Sequence, residues 1–159
     1  MKKLLSLIEK NARMSLEEMA SALNISANEV SEKLDKLKKD GIICGYRTVI
    51  DWDKTDEERV AAIIELKVSP QKNTGFDEIA EQIVGFDEVE SVYLMSGGYD
   101  LSLTLHAKSF KDIAYFVSER LAPIEGVLST ATHFILHRYK DNNISFGSGK
   151  TDGRSEFNL

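Results

Sequence analysis

The residue types that most often carry covalent or metal chemistry are sparse in this 159-residue chain: one cysteine, Cys44, and three histidines, His106, His133 and His137. No serine sits in a Gly-x-Ser-x-Gly elbow that would present it as a nucleophile. His133 and His137 are four residues apart on a run that reads as a strand, so they share a side but stand too far apart to hold one ion together. No cysteine or carboxylate pattern completes a metal site around them. The expectation is no catalytic residue, no metal, no cofactor, and a protein that is not an enzyme. What remains is the chemistry of recognition. Between Ser26 and Lys39 stand Asn28, Ser31, Glu32, Asp35, Lys36 and Lys39, an amide, a hydroxyl, carboxylates and ammonium groups. These are the types that hydrogen-bond base edges or neutralise phosphates.

Helices must position them. Ser15 is followed three residues later by Glu18, and Ser26 by Glu29, so each pair can form a capping box that starts a helix. Leu16, Met19, Ala20 and Leu23 recur at helical spacing after the first cap, and Val30, Leu34 and Leu37 after the second. Only Asn24-Ile25 lies between the first helix and the second cap. Two short amphipathic helices around so tight a turn make a helix-turn-helix unit, with a plain αα-hairpin as the alternative. A preceding helix over Lys2–Asn11 completes a three-helix core from Leu5, Ile8, Leu16, Met19, Leu23, Val30, Leu34 and Leu37. Gly41 ends the third helix, and IICGYRTVI around Gly45 reads as the two strands of a β-ribbon wing.

Composition sets the frame. With 42% hydrophobic residues and no apolar run long enough to span a bilayer, the chain reads as globular, cytoplasmic and without a membrane partner. A lone cysteine suits a reducing compartment. The net charge of −6 argues against indiscriminate coating of nucleic acid. Residues 1–50 nevertheless carry nine Lys/Arg against seven Asp/Glu, a net of +2 that leaves −8 for the remainder. A mildly basic module on an acidic remainder is compatible with DNA binding by that module alone.

From Arg59 the period changes to two. Val60 to Val68 alternates as a strand, stopped by Pro70. Phe76, Ile79, Ala80 and Ile83 mark a helix capped around Thr74. Val89 to Ser96 is a strand broken by Gly97-Gly98, and Leu101, Leu103 and Leu105 alternate in the next. Ser109 caps a second helix through Leu121, and Val127 to Arg138 is the last strand. The order β-α-β-β-α-β predicts a ferredoxin-like arrangement, a four-stranded antiparallel sheet with both helices on one face. Its open face carries Ile63 and Tyr93, with Phe134 on one of the two alternations, and such a face invites a second copy of the chain. The predicted organisation is α+β: a winged helix-turn-helix domain at 1–50, a linker at 51–58 in which Trp52 packs against a flanking domain, a ferredoxin-like sensing and oligomerisation domain at 59–138, and an extended or disordered tail at 139–159.

A winged helix-turn-helix followed by a ferredoxin-like domain resembles the Lrp/AsnC, or feast/famine, family of transcriptional regulators. NARMSLEEMASALNIS is similar to the family's second helix and turn, KKDGIICGY to its helix end and wing, and Ser96-Gly97-Gly98-Tyr99-Asp100 to its Ser-Gly-x-x-Asp loop. The resemblance covers about residues 1–140. It implies an oligomer, a dimer assembling to a tetramer or octamer, that binds double-stranded DNA and responds to a free amino acid. By the same resemblance, Ser96, Gly97, Gly98, Tyr99 and Asp100 are the effector-binding loop. Glycines there let peptide N–H groups approach a carboxylate, and Asp100 offers a countercharge for an α-ammonium; a tight β-turn with Asp100 capping it is the alternative.

The expected DNA-binding set is Ser15, Ser26, Ala27, Asn28, Ser31, Glu32, Asp35, Lys36, Lys39 and Arg47. Asn28 and Ser31 are placed at bases, and Lys36, Lys39 and Arg47 at the backbone. Glu32 and Asp35 depart from the family pattern, where these positions are often basic. They predict modest affinity per copy, recovered by oligomeric binding to several half-sites. Two further readings stay open. One is an amino-acid-sensing oligomer with lost or weak DNA binding. The other follows from the siroheme decarboxylases, which resemble the same family but use His and Arg positions around a tetrapyrrole that have no counterpart placed here.

Overall fold

The computed structural model describes residues 1–70 and 75–147, and it divides into two compact units, Met1–Val49 and Ile50–Leu159.

The first unit is built from α1 (Lys2–Lys10), α2 (Leu16–Leu23) and α3 (Ala27–Lys39). Both serine caps form as full capping boxes: the Ser15 and Ser26 hydroxyls accept from the N–H groups of Glu18 and Glu29, whose carboxylates accept from the cap N–H groups. Asn24 ends α2 in the left-handed region at φ 56°, and its N–H donates to Ala20 and Ser21. One residue therefore closes α2, and two residues later Ser26 opens α3. At the far end of α3, Gly41 takes φ 68° and the N–H groups of Ile42 and Gly41 donate to Leu37 and Lys38. That is the Schellman pattern, which satisfies carbonyls the helix leaves over. The core holds Met19, Ala20, Val30, Leu34 and Leu37 as buried side chains, with Leu4 rather than the expected Leu5 from α1. Leu5 and Ile8 pack at its margin.

One expectation fails here. The wing does not form a β-ribbon: residues 43–50 contain no strand. After the Schellman turn, the Ile43 N–H still donates to Leu37 and the Cys44 thiol to the Gly41 carbonyl. The start of the segment is thereby tied to the helix end instead of to a strand partner.

The second unit is a sheet in the order β2-β3-β1-β4, made of β1 (Val60–Val68), β2 (Val89–Leu94), β3 (Leu101–Ala107) and β4 (Val127–Ile135), all antiparallel neighbours. With α4 (Asp77–Val84) and α5 (Phe110–Phe116), which runs on into a π-helical turn at Val117–Leu121, this is the predicted βαββαβ arrangement. Alternation selects the core: Ala62, Ile64, Leu66 and Val68 of β1 and Leu101, Leu103 and Leu105 of β3 meet Ile79, Ile83, Ile113, Phe116 and Leu121. Thr74, the expected cap of α4, lies outside the described residues, and Phe76 occupies the N-cap position without a side-chain bond.

The open face of the sheet is more polar than expected. His133 Nε2 lies 3.0 Å from Glu65 Oε2, and His106 Nδ1 lies 2.7 Å from Glu90 Oε2. Ile63 and Tyr93 stay exposed on that face. Phe134 does not join them: its ring meets Phe110 of α5 edge-to-face at 4.9 Å, on the helix side. The register explains this, because Ile63 pairs with His133, which puts the next residue of β4 on the opposite face.

The expectation of an extended or disordered tail from Tyr139 also fails in its first part. β5 (Lys140–Asp141) and β6 (Ile144–Ser145) form a hairpin turned by Asn142 and Asn143 at φ 45° and 65°. Two positive φ values in a two-residue loop define the type I′ turn that suits the strand twist. Residues 148–159 of the expected tail lie outside the described residues.

Candidate nucleic-acid interface and effector loop

Val30, Leu34 and Leu37 fix the rotation of α3. A step of 100° per residue then turns Asn28, Glu32, Asp35, Lys36 and Lys39 away from the core, and all five are exposed. Ala27 and Ser31 are half-buried at the edges of that face. Ser15 and Ser26 stand at helix starts with their hydroxyls committed to caps, so their contribution to any DNA contact is through the helix end they hold. Arg47 is exposed on the segment after α3. The Ser26 N–H and hydroxyl hold the Glu29 carboxyl below its usual range, with Lys33 adding attraction. Asp35 reaches Lys38 at 3.7 Å. The net charge of this face is therefore close to neutral, since the lysines one turn on are matched by Glu32 and Asp35.

In the second unit, residues 95–100 connect β2 to β3. Asp100 is the joint of this loop. Its Oδ2 accepts from the Val68 N–H at 2.9 Å and its Oδ1 from the Lys67 ammonium at 3.3 Å. Its own N–H donates to the Leu66 carbonyl, and its carbonyl accepts from Met95. The Val68 N–H is the main reason the Asp100 carboxyl sits below the ordinary aspartate range; partial burial opposes this and Lys67 assists it. Lys67 is a residue the sequence reading did not single out. Its contact spans 33 positions in sequence, and only the β1–β3 register brings the two together.

Ser96, Gly97 and Gly98 are exposed, and Tyr99 and Asp100 are half-buried. The Met95 N–H closes the loop on the Asp100 carbonyl and the Asp100 N–H goes to Leu66 of β1, while those of Ser96, Gly97, Gly98 and Tyr99 have no acceptor among the described residues. Gly97 takes φ 155°, a conformation that side chains rarely adopt, whereas Gly98 has no such demand and a Cβ there would meet open space. The loop thus presents successive free amide donors beside a carboxylate that stays ionised at neutral pH, which is the complement of a zwitterion.

Elsewhere in this unit a cavity of about 50 Å³ is lined by Trp52, Arg59, His106, His137 and Phe146, among others, and none of the expected site residues borders it. Arg59 lies over the Trp52 ring at 4.6 Å, so Trp52 belongs with this unit through a cation–π contact. Among the described residues, no three His, Cys, Asp or Glu side chains converge as metal ligands. No helix of the described residues is long and apolar enough to cross a membrane.

Comparison with known proteins covers both units. The family model for the Lrp/AsnC ligand binding domain matches residues 61–144, and that for winged helix-turn-helix DNA-binding matches residues 1–43. The uncharacterized HTH-type transcriptional regulator YugG of Bacillus subtilis is 47% identical over 152 residues, covering 95% of this chain and 92% of the relative. HTH-type transcriptional regulator LysM of Sulfurisphaera tokodaii is 33% identical over 134 residues, covering 84% and 91%. Among solved structures, PH0061 aligns with a TM-score of 0.76 at 27% identity, over 88% of this chain and 93% of that one. The complex of the transcriptional regulator NMB0573 from Neisseria meningitidis with L-Met aligns with a TM-score of 0.71 at 21% identity, over 87% and 89%.

Proposed function

Because this chain belongs to the Lrp/AsnC family of transcriptional regulators, we propose that it is a cytoplasmic oligomer that reads specific DNA sites through α3 and changes its binding when a free amino acid occupies the Ser96–Asp100 loop. The observation that carries the effector reading is the row of free N–H groups at residues 96–99 beside the Asp100 carboxylate. The α-carboxylate of the ligand takes the amide donors, and the Asp100 carboxylate, shared with Lys67, supplies the negative charge that its ammonium faces. The Neisseria protein held with L-Met supports a ligand of this class. A thermal-shift screen of the twenty amino acids tests it: one of them raises the melting temperature in proportion to the logarithm of its concentration.

On the DNA side, Asn28 and Ser31 face bases, and Lys36, Lys39 and Arg47 face the phosphate backbone. Ser15, Ser26 and Ala27 hold or flank the helix ends from which they reach. The half-neutralised face of α3 makes a single copy a weak binder. We place the gain in a dimer that pairs open sheet faces around Ile63 and Tyr93, assembling further to a tetramer or octamer. Electrophoretic shift with the gene's own upstream region decides the matter. Absence of a shift at low salt, with the protein folded and oligomeric, overturns DNA reading. It would leave an amino-acid-sensing oligomer, a second reading favoured by the two carboxylates, Glu32 and Asp35, exposed on α3.

A further inference from the structure

The three carboxylates near the start and middle of α3 are not equivalent. Glu29 folds back on its cap, 2.9 Å from the Ser26 N–H and 2.9 Å from its hydroxyl. Asp35 lies 3.7 Å from the Lys38 ammonium. Glu32 is exposed and has neither hydrogen bond nor ion pair among the described residues. The helical step places it opposite the mean direction of Val30, Leu34 and Leu37, with Asn28 and Lys39 directly alongside. It is therefore the centre of the outward face.

A bare carboxylate at that point lowers affinity for any duplex, because the phosphates raise a negative potential along both walls of the groove. The cost is offset only where a base edge supplies a donor. Cytosine presents its N4 amino group in the major groove with no acceptor of its own. Adenine sets N7, an acceptor, beside its N6 amino group and so repels a carboxylate's second oxygen; guanine offers acceptors alone. We infer that Glu32 is a base-reading residue that selects cytosine, and that Asp35, off the centre of the face and drawn towards Lys38 at 3.7 Å, has no such role. The inference rests on α3 being the DNA-reading helix. Its consequence is that specificity arises as much from weakened binding to other sequences as from one added contact.

Selection of bound sequences from a random duplex pool by the full-length protein tests this, followed by titration of the selected site. The wild type enriches cytosine at one position of each half-site. Glu32→Gln loses that preference by roughly tenfold, in line with the discrimination of a single good base contact, keeps the preferences at the other positions, and binds non-cognate duplex more tightly. Asp35→Asn, by removing a negative charge, tightens binding to all duplexes alike and leaves every base preference in place. Both exchanges are isosteric at exposed sites, so folding is not at issue. If Glu32→Gln retains the wild-type preference at every position and shifts affinity uniformly, the inference is overturned. If the wild type itself binds no duplex at low salt, the underlying DNA reading fails, and the two failures are distinct.

Discussion

Asp100 is where structure and chemistry meet most closely. Its carboxylate caps the end of the β1–β3 ladder through the Val68 N–H and holds Lys67, so it has a fold role before any ligand arrives. Its carboxyl pKa is lowered in the folded chain. A depressed acid contributes stability above its unfolded pKa and loses it as the pH falls through the folded value. Asp100→Asn therefore lowers the melting temperature at pH 7, and the gap to wild type closes as the pH is taken below the ordinary aspartate range. Parallel thermal melts of the two proteins between pH 7 and pH 3 check this; a gap that is independent of pH would contradict it. Gly98 separates fold from function more cleanly. A Cβ there meets open space, so Gly98→Ala leaves the stability within about 0.5 kcal/mol, as surface changes of this kind do. If the loop holds the amino acid as proposed, the added methyl blocks approach to the amide donors and weakens binding, which calorimetry reads. Gly97→Ala, at φ 155°, is destabilising in its own right.

At the scale of elements, the helix-turn-helix is held by a single left-handed residue between two helices. Asn24→Gly keeps the turn. Asn24→Val costs about 1–2 kcal/mol, the penalty for placing a β-branched side chain in the left-handed region, and urea melts of the first unit's helical signal measure it. This region was readable from the sequence because capping boxes and αL residues are local rules: Ser15-Glu18, Ser26-Glu29 and Gly41 each act within a few positions. The order of strands and helices was readable for the same reason, since the change of period at Arg59 is visible in any short window. Other features depend on distant partners. Phe134 was placed only by the register of β4 against β1, and Lys67 reached Asp100 only through the β1–β3 ladder. Ile42, Ile43 and Tyr46 have strand propensity, but their backbone finds no strand partner among the described residues, so a wing is expected from the sequence where no β-ribbon forms. The hairpin at 140–145 did carry a local signal: Asn142-Asn143 suits a type I′ turn, but the polar composition around it pointed to disorder instead.

For the whole molecule, the face of α3 and the open face of the sheet argue in the same direction. In the proposed reading Glu32 and Asp35 limit what one copy can hold, and a chain of net charge −6 gains little from long-range steering. Linking two or more reading helices restores affinity by effective concentration, by 10²- to 10⁴-fold for geometrically matched half-sites, roughly. Light scattering at micromolar concentration should thus give at least a dimer, and a monomer would contradict the sheet-face pairing. The central claim is that amino-acid binding and DNA binding are coupled in one chain, which requires the coupling to be reciprocal. Titrating the upstream DNA with full-length protein, with and without the amino acid identified by thermal shift, tests this most directly. The account predicts a midpoint moved by about 5- to 150-fold in wild type and a much smaller shift in Gly98→Ala. An identical midpoint with and without saturating amino acid would contradict it.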